Sequence, residues 1–205
     1  MCYSGVCDRI IVSTDSQKIA QCVLKYGSGV GVLYRPTQLA TGTSKVMDAI
    51  QYHLTWDIAD TYDYVIMHHA TAPLADSVDI KEALSTLIEN KADFIISMCK
   101  SPLSLGVVKP VPENKSVRGW FPKELRGLNR QEIPTRYELD NNIYIGKWDI
   151  FKNNMDYWET NIIMYEMPVY KRADIDTEED FKRAEKQYGN LHNRRNRFFR
   201  KIFSV

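Results

Sequence analysis

Short apolar runs alternate with stretches of helical spacing along the first hundred residues of the chain. Asp8-Arg9-Ile10-Ile11-Val12-Ser13-Thr14-Asp15 is an apolar run that stops at a Ser/Thr/Asp cluster, the pattern of a strand covered on both faces. Ser16 to Tyr26 places Ile19, Cys22, Val23 and Tyr26 on one helical face, and Gly27 is suited to end that helix. Val30 to Tyr34 reads as the next strand, so the chain opens with a β-α-β unit. Gly27, Gly29 and Gly31 follow a helix and open a strand. A phosphate-binding glycine loop does the reverse, so these glycines read as a turn.

The alternation continues after Arg35-Pro36. A polar loop through Thr41-Gly42-Thr43-Ser44 leads into a helix from Lys45 to about Leu54, with Val46, Ala49, Ile50 and His53 on one face. Tyr64 to His68 is an apolar strand, and Pro73 closes the segment behind it. A helix starting at Ser77 or Asp79 carries Ile80, Leu84, Leu87 and Ile88 as its buried stripe, and Phe94 to Met98 is strand again. His68 and His69 are adjacent, so on a strand they face opposite sides and cannot chelate one ion together. One of them is expected in packing or a hydrogen bond, the other at a strand end where open α/β sheets bind ligands.

From Ser101 to Asn141 the pattern turns irregular, broken by Pro102, Pro110, Pro112, Pro122 and Pro134 and made basic by Arg118, Lys123, Arg126, Arg130 and Arg136. Such an insertion suits an antiparallel arm packed on a second subunit, a substrate-facing loop, or a solvated surface. Asn142 to Gly146 returns to strand, Trp148 to Asn153 is a short helix, and Ile162 to Val169 is a last strand.

That strand leads to Ala173-Asp174-Ile175-Asp176-Thr177-Glu178-Glu179-Asp180-Phe181, which reads as a strand end running into a helix. Thr177 is a good N-cap, Asp180 completes an aspartate form of the capping box, and Glu178 and Glu179 favour the positive end of the helix dipole. Asp174 and Asp176 lie two apart on extended backbone, so both carboxylates point to one face. Such a pair can hold a hard divalent cation that also bridges phosphates; the plainer reading is two acids that cap or solvate a turn.

Composition narrows the class. The chain has 205 residues, 44% of them hydrophobic, enough for one core, which we place in a domain over residues 1–189 followed by a basic tail over 190–205. A net charge of +1 argues against a nucleic-acid binder. Cys2, Cys7, Cys22 and Cys99 have no paired spacing, which points to free thiols in a reducing compartment and a cytoplasmic setting. In the tail, Phe198, Phe199, Ile202 and Phe203 share a helical face among arginines, a pattern that docks on its own domain, stays mobile or touches a membrane surface.

Six segments in fixed order resemble the acylneuraminate cytidylyltransferases, the CMP-sialic acid synthetases and their CMP-Kdo-forming relatives. They are Ile11-Val12-Ser13-Thr14-Asp15-Ser16 with Ile19-Ala20, Tyr34-Arg35-Pro36 with Leu39-Ala40, Thr43-Ser44, Ala70-Thr71-Ala72-Pro73-Leu74, Asn141-Asn142-Ile143-Tyr144-Ile145, and Asp174 to Phe181. The resemblance implies a Rossmann-like nucleotide-diphospho-sugar transferase fold, three-layer α/β/α, with a mostly parallel sheet and a small antiparallel dimerisation arm. It implies transfer of CMP from CTP to an acidic 2-keto sugar with release of pyrophosphate, Mg²⁺ held by Asp174 and Asp176, and a homodimer. By position in the family pattern, Arg35, Thr43, Ser44 and His69 would lie around the nucleotide, and Asp140, Asn141 and Asn142 near the sugar.

Three departures from the family pattern shape the expectations. The family opens with a strand and a basic glycine loop that cradles the triphosphate, which this sequence does not supply. We therefore expect an N-terminally truncated reading, or a piece contributed by another chain. Glu138-Leu139-Asp140-Asn141 stands where many sialic-acid enzymes carry Arg-Pro-Asn-Gly, so an acid replaces the base that meets the sugar carboxylate. Either another base, such as Arg130 or Arg136, reads that carboxylate, or the substrate is not a standard sialic acid. His69 replaces the family's usual glutamine and can still donate a hydrogen bond. Two other functions fit parts of the pattern: a non-catalytic relative that keeps the fold as a binding subunit, and a glycosyltransferase using Asp174-Ile175-Asp176 as its D-x-D.

Overall fold

The structure, a computed structural model, describes residues 5–25, 29–101, 110, 113–119, 122–129 and 131–203, with side chains described as far as Leu191. Its strands are β1 (Ile11–Thr14), β2 (Gly31–Tyr34), β3 (Tyr64–Met67), β4 (Phe94–Lys100), β5 (Tyr137–Lys147) and β6 (Ile162–Glu166). Its helices are α1 (Gln17–Lys25), α2 (Val46–Trp56), α3 (Ser77–Glu89), α4 (Trp148–Lys152) and α5 (Glu178–Phe203). The glycine turn expected at Gly27 lies outside the described residues; Gly29 is at φ +110°, a conformation only glycine adopts freely.

β1 and β2 pair in parallel around α1, as the opening β-α-β pattern requires. The other four strands form a sheet in the order β3-β5-β4-β6. β4 pairs in parallel with β6, whereas β5 runs antiparallel to both β3 and β4. Three strands of this sheet therefore share a direction, and β5 alone opposes them.

Alternation along the strands splits the core into two layers. Phe94, Ile96 and Tyr144 face Leu54 of α2 and Trp148, Ile150 and Phe151 around α4. Ile95, Ile143 and Ile145 face Ile80, Ala83 and Leu87 of α3. The sheet is thus covered on both sides, which explains why β4 reads as a continuous apolar run. α3 is held at its start by Asp76, which accepts the N–H of Val78 at 2.8 Å, while Asp79 returns a bond from the Asp76 N–H at 2.7 Å. The helix thus starts at Ser77, the earlier of the two starts expected from the sequence, with Asp76 as its N-cap.

Gly146 shows how tightly the first layer is packed. A Cβ there would come within 2.7 Å of Phe94 Cε2, and Phe94 is itself stacked on Phe151 and Tyr157 at centroid distances of 5.5 and 4.6 Å. Gly146→Ala is expected to lower stability by about 2 kcal/mol through overpacking, seen as a fall in Tm of roughly 4–8 °C. An unchanged melting curve would show that the ring stack yields without cost.

Two boundaries differ from the sequence reading. β5 begins at Tyr137 rather than Asn142, because Leu139, Glu138 and Tyr137 pair with Met98, Cys99 and Lys100 beyond a bulge. β6 stops at Glu166, and Pro168 and a short 3-10 turn over Val169–Lys171 intervene before the carboxylate segment. At the other end, α5 passes through Gly189 without interruption as one helix of 26 residues, so the backbone of the basic tail continues the helix. Among the described residues no helix is long and apolar enough to cross a membrane.

Candidate functional site

Asp174 lies in an irregular stretch after the 3-10 turn and Asp176 in the bend before α5, rather than on a strand end. The Ile175 N–H donates to the Thr71 carbonyl at 2.9 Å, and its side chain packs with Leu74, Ala173 and Ala184. Ile175 is half-buried and both flanking aspartates are exposed. The capping box that follows is formed as expected: Asp180 N–H donates to Thr177 Oγ1 at 3.2 Å, and Thr177 N–H to Asp180 Oδ2 at 3.0 Å. Asp180 is consequently held below its ordinary pKa, first by the Thr177 hydroxyl.

β5 brings its amino end to the same edge of the sheet, because it runs against its neighbours. Asn141 adopts φ +56°, the left-handed region, inside the bulge between β5 and β4. Its Nδ2 donates to Asp174 Oδ2 at 3.2 Å, and its Oδ1 accepts the Tyr144 hydroxyl at 2.9 Å. Burial, with the nearby Tyr157, Asp140 and Asp174 adding to it, pushes Tyr144 up to about 12, so this hydroxyl stays a donor at neutral pH.

Asp140 and Asn142 lie beneath that surface, 3% and 0% exposed. Ser97 Oγ donates to Asp140 Oδ1 at 2.5 Å and accepts the Ile143 N–H at 2.8 Å, and the Asn142 N–H donates to Asp140 Oδ1 at 3.2 Å. The remaining oxygens, Asp140 Oδ2 and Asn142 Oδ1, are buried without a hydrogen-bond partner among the described residues. Of the three residues placed near the sugar by the resemblance, only Asn141 is partly open to solvent.

The adjacent histidines lie just past the end of β3 and divide their roles. His68 Nδ1 donates to the Asn142 carbonyl, and burial holds its pKa below the ordinary value. His69 faces a cavity of about 490 Å³, with its ring edge-on to Tyr144 at 5.7 Å. Burial also lowers the His69 pKa, partly opposed by Asp174, so a neutral imidazole faces the cavity. Tyr144, Tyr157 and Met67 form an apolar wall, while Lys45 at the start of α2 and Asp156 supply the charges.

The remaining expected residues gather less closely. Thr43 and Ser44 sit in the turn just before α2, where Thr41 Oγ1 lies 3.2 Å from Thr43 Oγ1 and 2.7 Å from Ser44 Oγ. Arg35, at the end of β2, reaches Asp15 at 3.7 Å and leaves a buried Nε without a partner among the described residues. Arg136 also has a buried, unpartnered Nε, and its carbonyl accepts the Ser101 N–H at 2.9 Å. Arg130 lies outside the described residues. Glu138, the acid that stands in place of a base, is itself ion-paired with Arg172 and bonded by Ser101 Oγ at 3.1 Å. Its charge is therefore offset, which weakens the repulsion expected toward an anionic sugar.

Lys45, Tyr157 and Asp156 were not singled out from the sequence as site residues. Nothing in their spacing marks them, because the cavity is made by the start of α2 meeting the segment after α4.

Comparisons with known proteins bear on the family and the fold. A family model described as cytidylyltransferase matches residues 2–201. The chain is 31% identical over 183 residues to post-translational flagellin modification protein B of Campylobacter coli, covering 86% of this chain and 75% of that protein. It is 24% identical over 180 residues to an N-acylneuraminate cytidylyltransferase of Streptococcus agalactiae serotype III (strain NEM316), covering 87% of this chain but only 42% of that enzyme's length. Among solved structures, a CMP:2-keto-3-deoxy-manno-octonic acid synthetase complexed with CTP superimposes with a TM-score of 0.61 at 12% identity, over 89% of this chain and 81% of that one. At that identity the likeness speaks for the fold alone. An α/β nucleotidyltransferase fold, a carboxylate pair beside an aromatic cavity, and a family match over nearly the whole sequence lead to one statement: the chain belongs to the cytidylyltransferase family.

Proposed function

We propose that the protein transfers CMP from CTP to an acidic 2-keto sugar of the nonulosonic class, releasing pyrophosphate. The observation that carries this reading is the exposed Asp174 carboxylate, held by Asn141 next to the cavity that Tyr144 and His69 line. The names of the relatives support the sugar class. In the reaction the anomeric hydroxyl attacks the α-phosphorus, the bond to the bridging oxygen breaks, and pyrophosphate leaves with that oxygen.

Asp174 and Asp176 fit Mg²⁺ by chemistry: hard oxygens, exposed, two residues apart, with one Asp174 oxygen already engaged by Asn141. Among the described residues no group of three or more His, Cys, Asp or Glu could hold a metal, so an ion on this pair would need phosphate and water oxygens to complete its shell. Bound there, Mg²⁺ would neutralise charge building on the phosphates. The apolar wall of Tyr144 and Tyr157 would pack on the sugar ring, and neutral His69 would hydrogen-bond a hydroxyl or the base. A homodimer is part of this proposal, since the family pattern points to one.

Lys45 is the cation of the cavity wall, and we assign it to the sugar carboxylate ahead of Arg136 or Arg130. Lys45→Met is expected to raise the KM for the sugar acid about tenfold while the KM for CTP moves less than twofold. A sugar KM unmoved in Lys45→Met but raised in Arg136→Ala or Arg130→Ala would return the role to an arginine. The reaction itself is tested by pyrophosphate release from CTP with a panel of acidic 2-keto sugars. Release that needs no sugar acid, or binding of UDP-sugars in place of CTP, would overturn the reading and favour a D-x-D glycosyltransferase.

A further inference from the structure

Asn141 carries an unusual combination. It is a non-glycine residue in the left-handed region, in the middle of a strand, with both ends of its side-chain amide in use. Left-handed backbone costs a non-glycine residue on the order of 1 kcal/mol, and it persists where the surroundings over-determine it. Here they do. Ser97 fixes Asp140 on one side and the Ile143 N–H on the other, His68 holds the Asn142 carbonyl, and Asn142 Nδ2 donates to the Asp140 carbonyl at 3.3 Å. Four bonds, three of them buried, thus clamp the backbone on either side of a single partly exposed amide.

The amide has only one workable orientation. A carboxylate only accepts, so the Asn141 NH₂ faces Asp174 and the amide oxygen is left to accept from the Tyr144 hydroxyl. Donation to Asp174 Oδ2 fixes the carboxylate's rotation and leaves Oδ1 unclaimed by protein among the described residues. We infer that Asn141 is a positioning residue: with Tyr144 behind it, it aims Asp174 so that one oxygen is presented outward for a divalent cation. This rests on the proposed metal role of Asp174, and goes beyond it by naming what orients that carboxylate and by linking it to the cavity wall. Because Tyr144 also lines the cavity, a sugar packed on its ring would press on the same chain of bonds that sets the metal carboxylate.

The test uses Mn²⁺ as the probe, with free Mn²⁺ measured by electron paramagnetic resonance as it is titrated into the full chain with CTP present. Asn141→Gly keeps the left-handed backbone and deletes the amide, and Tyr144→Phe keeps the ring and deletes the donor. Asn141→Gly is expected to weaken Mn²⁺ binding about five- to tenfold, the size of one ordinary hydrogen bond. Tyr144→Phe should weaken it by a smaller factor, about two- to threefold. Asn141→Gln, whose amide is one methylene too far, should fail to rescue. Wild-type Mn²⁺ affinity in Asn141→Gly, with binding intact in the parent, would overturn the positioning role and leave the carboxylate pair standing. Absence of Mn²⁺ binding in the parent itself would remove the metal role of Asp174 and this inference together. Equal losses in Mn²⁺ affinity and in Tm across all three variants would reduce Asn141 to a structural residue.

Discussion

Asp176→Asn is expected to lower kcat/KM for CTP by about a thousandfold while leaving Tm within a degree or two. The size follows from the several kcal/mol that charge neutralisation at the phosphates contributes to such a transfer. The unchanged fold follows from the surroundings. The Asp176 carboxylate is exposed and makes no protein hydrogen bond among the described residues, so its neutralisation unpairs nothing. The matched measurement is steady-state pyrophosphate release at saturating Mg²⁺, beside a thermal melt. Activity within threefold of the parent would remove the metal role of this residue. A collapsed melt would mean instead that the segment before α5 depends on its charge.

Lys171→Met should produce the largest loss of stability, about 3 kcal/mol, or a fall in Tm of roughly 6–12 °C. Lys171 Nζ meets Asp79 Oδ2 at 2.6 Å and Asp76 Oδ2 at 3.1 Å, with the lysine and Asp79 side chains 11% and 4% exposed. Removing the ammonium leaves Asp79 buried and unpaired, and the start of α3 can offset only part of that cost. The variant Lys171→Met with Asp79→Asn should recover most of the loss, since a neutral pair leaves no buried charge. The acid limb has a sign as well. Burial pushes the Asp76 carboxyl up, but the Val78 N–H and Lys171 outweigh it, and the net shift is downward. A depressed folded pKa gives stability that is present above the unfolded value and lost as pH falls through the folded one. The advantage of the parent over Lys171→Met should therefore shrink below about pH 4. A pH-independent difference would show that packing of the lysine stem, not its charge, holds the two elements together.

Much of this arrangement was legible in the sequence. Every strand and helix expected from the apolar pattern is present, and the Thr177–Asp180 capping box forms as its spacing required. His68 takes a backbone hydrogen bond and His69 faces the cavity, the split expected of the two adjacent histidines, although both lie just past β3. What escaped was set by contacts distant in sequence. The first half of β5 is too polar to read as strand, because Glu138 and Asp140 are satisfied by Arg172 and Ser97 rather than by water. Arg35, Thr43 and Ser44 were grouped from family position, and the structure leaves them in separate local bonds. Lys45 and Tyr157 meet across a cavity made by elements about a hundred residues apart, and no local pattern encodes that meeting.

The insertion of β5 between β3 and β4 has a consequence for how the molecule must come together. β3 and β4 are separated by the strand that pairs with both, so the sheet cannot grow in chain order from its amino-terminal side. Until residue 147 has emerged, a nascent chain holds two apolar strands with open edges and no means of joining them. Closing the sheet requires a long loop before any β5 contact rewards it, a topology that slows folding. During synthesis those edges are the surface on which aggregation begins, and holding them apart is the work a chaperone would have to do.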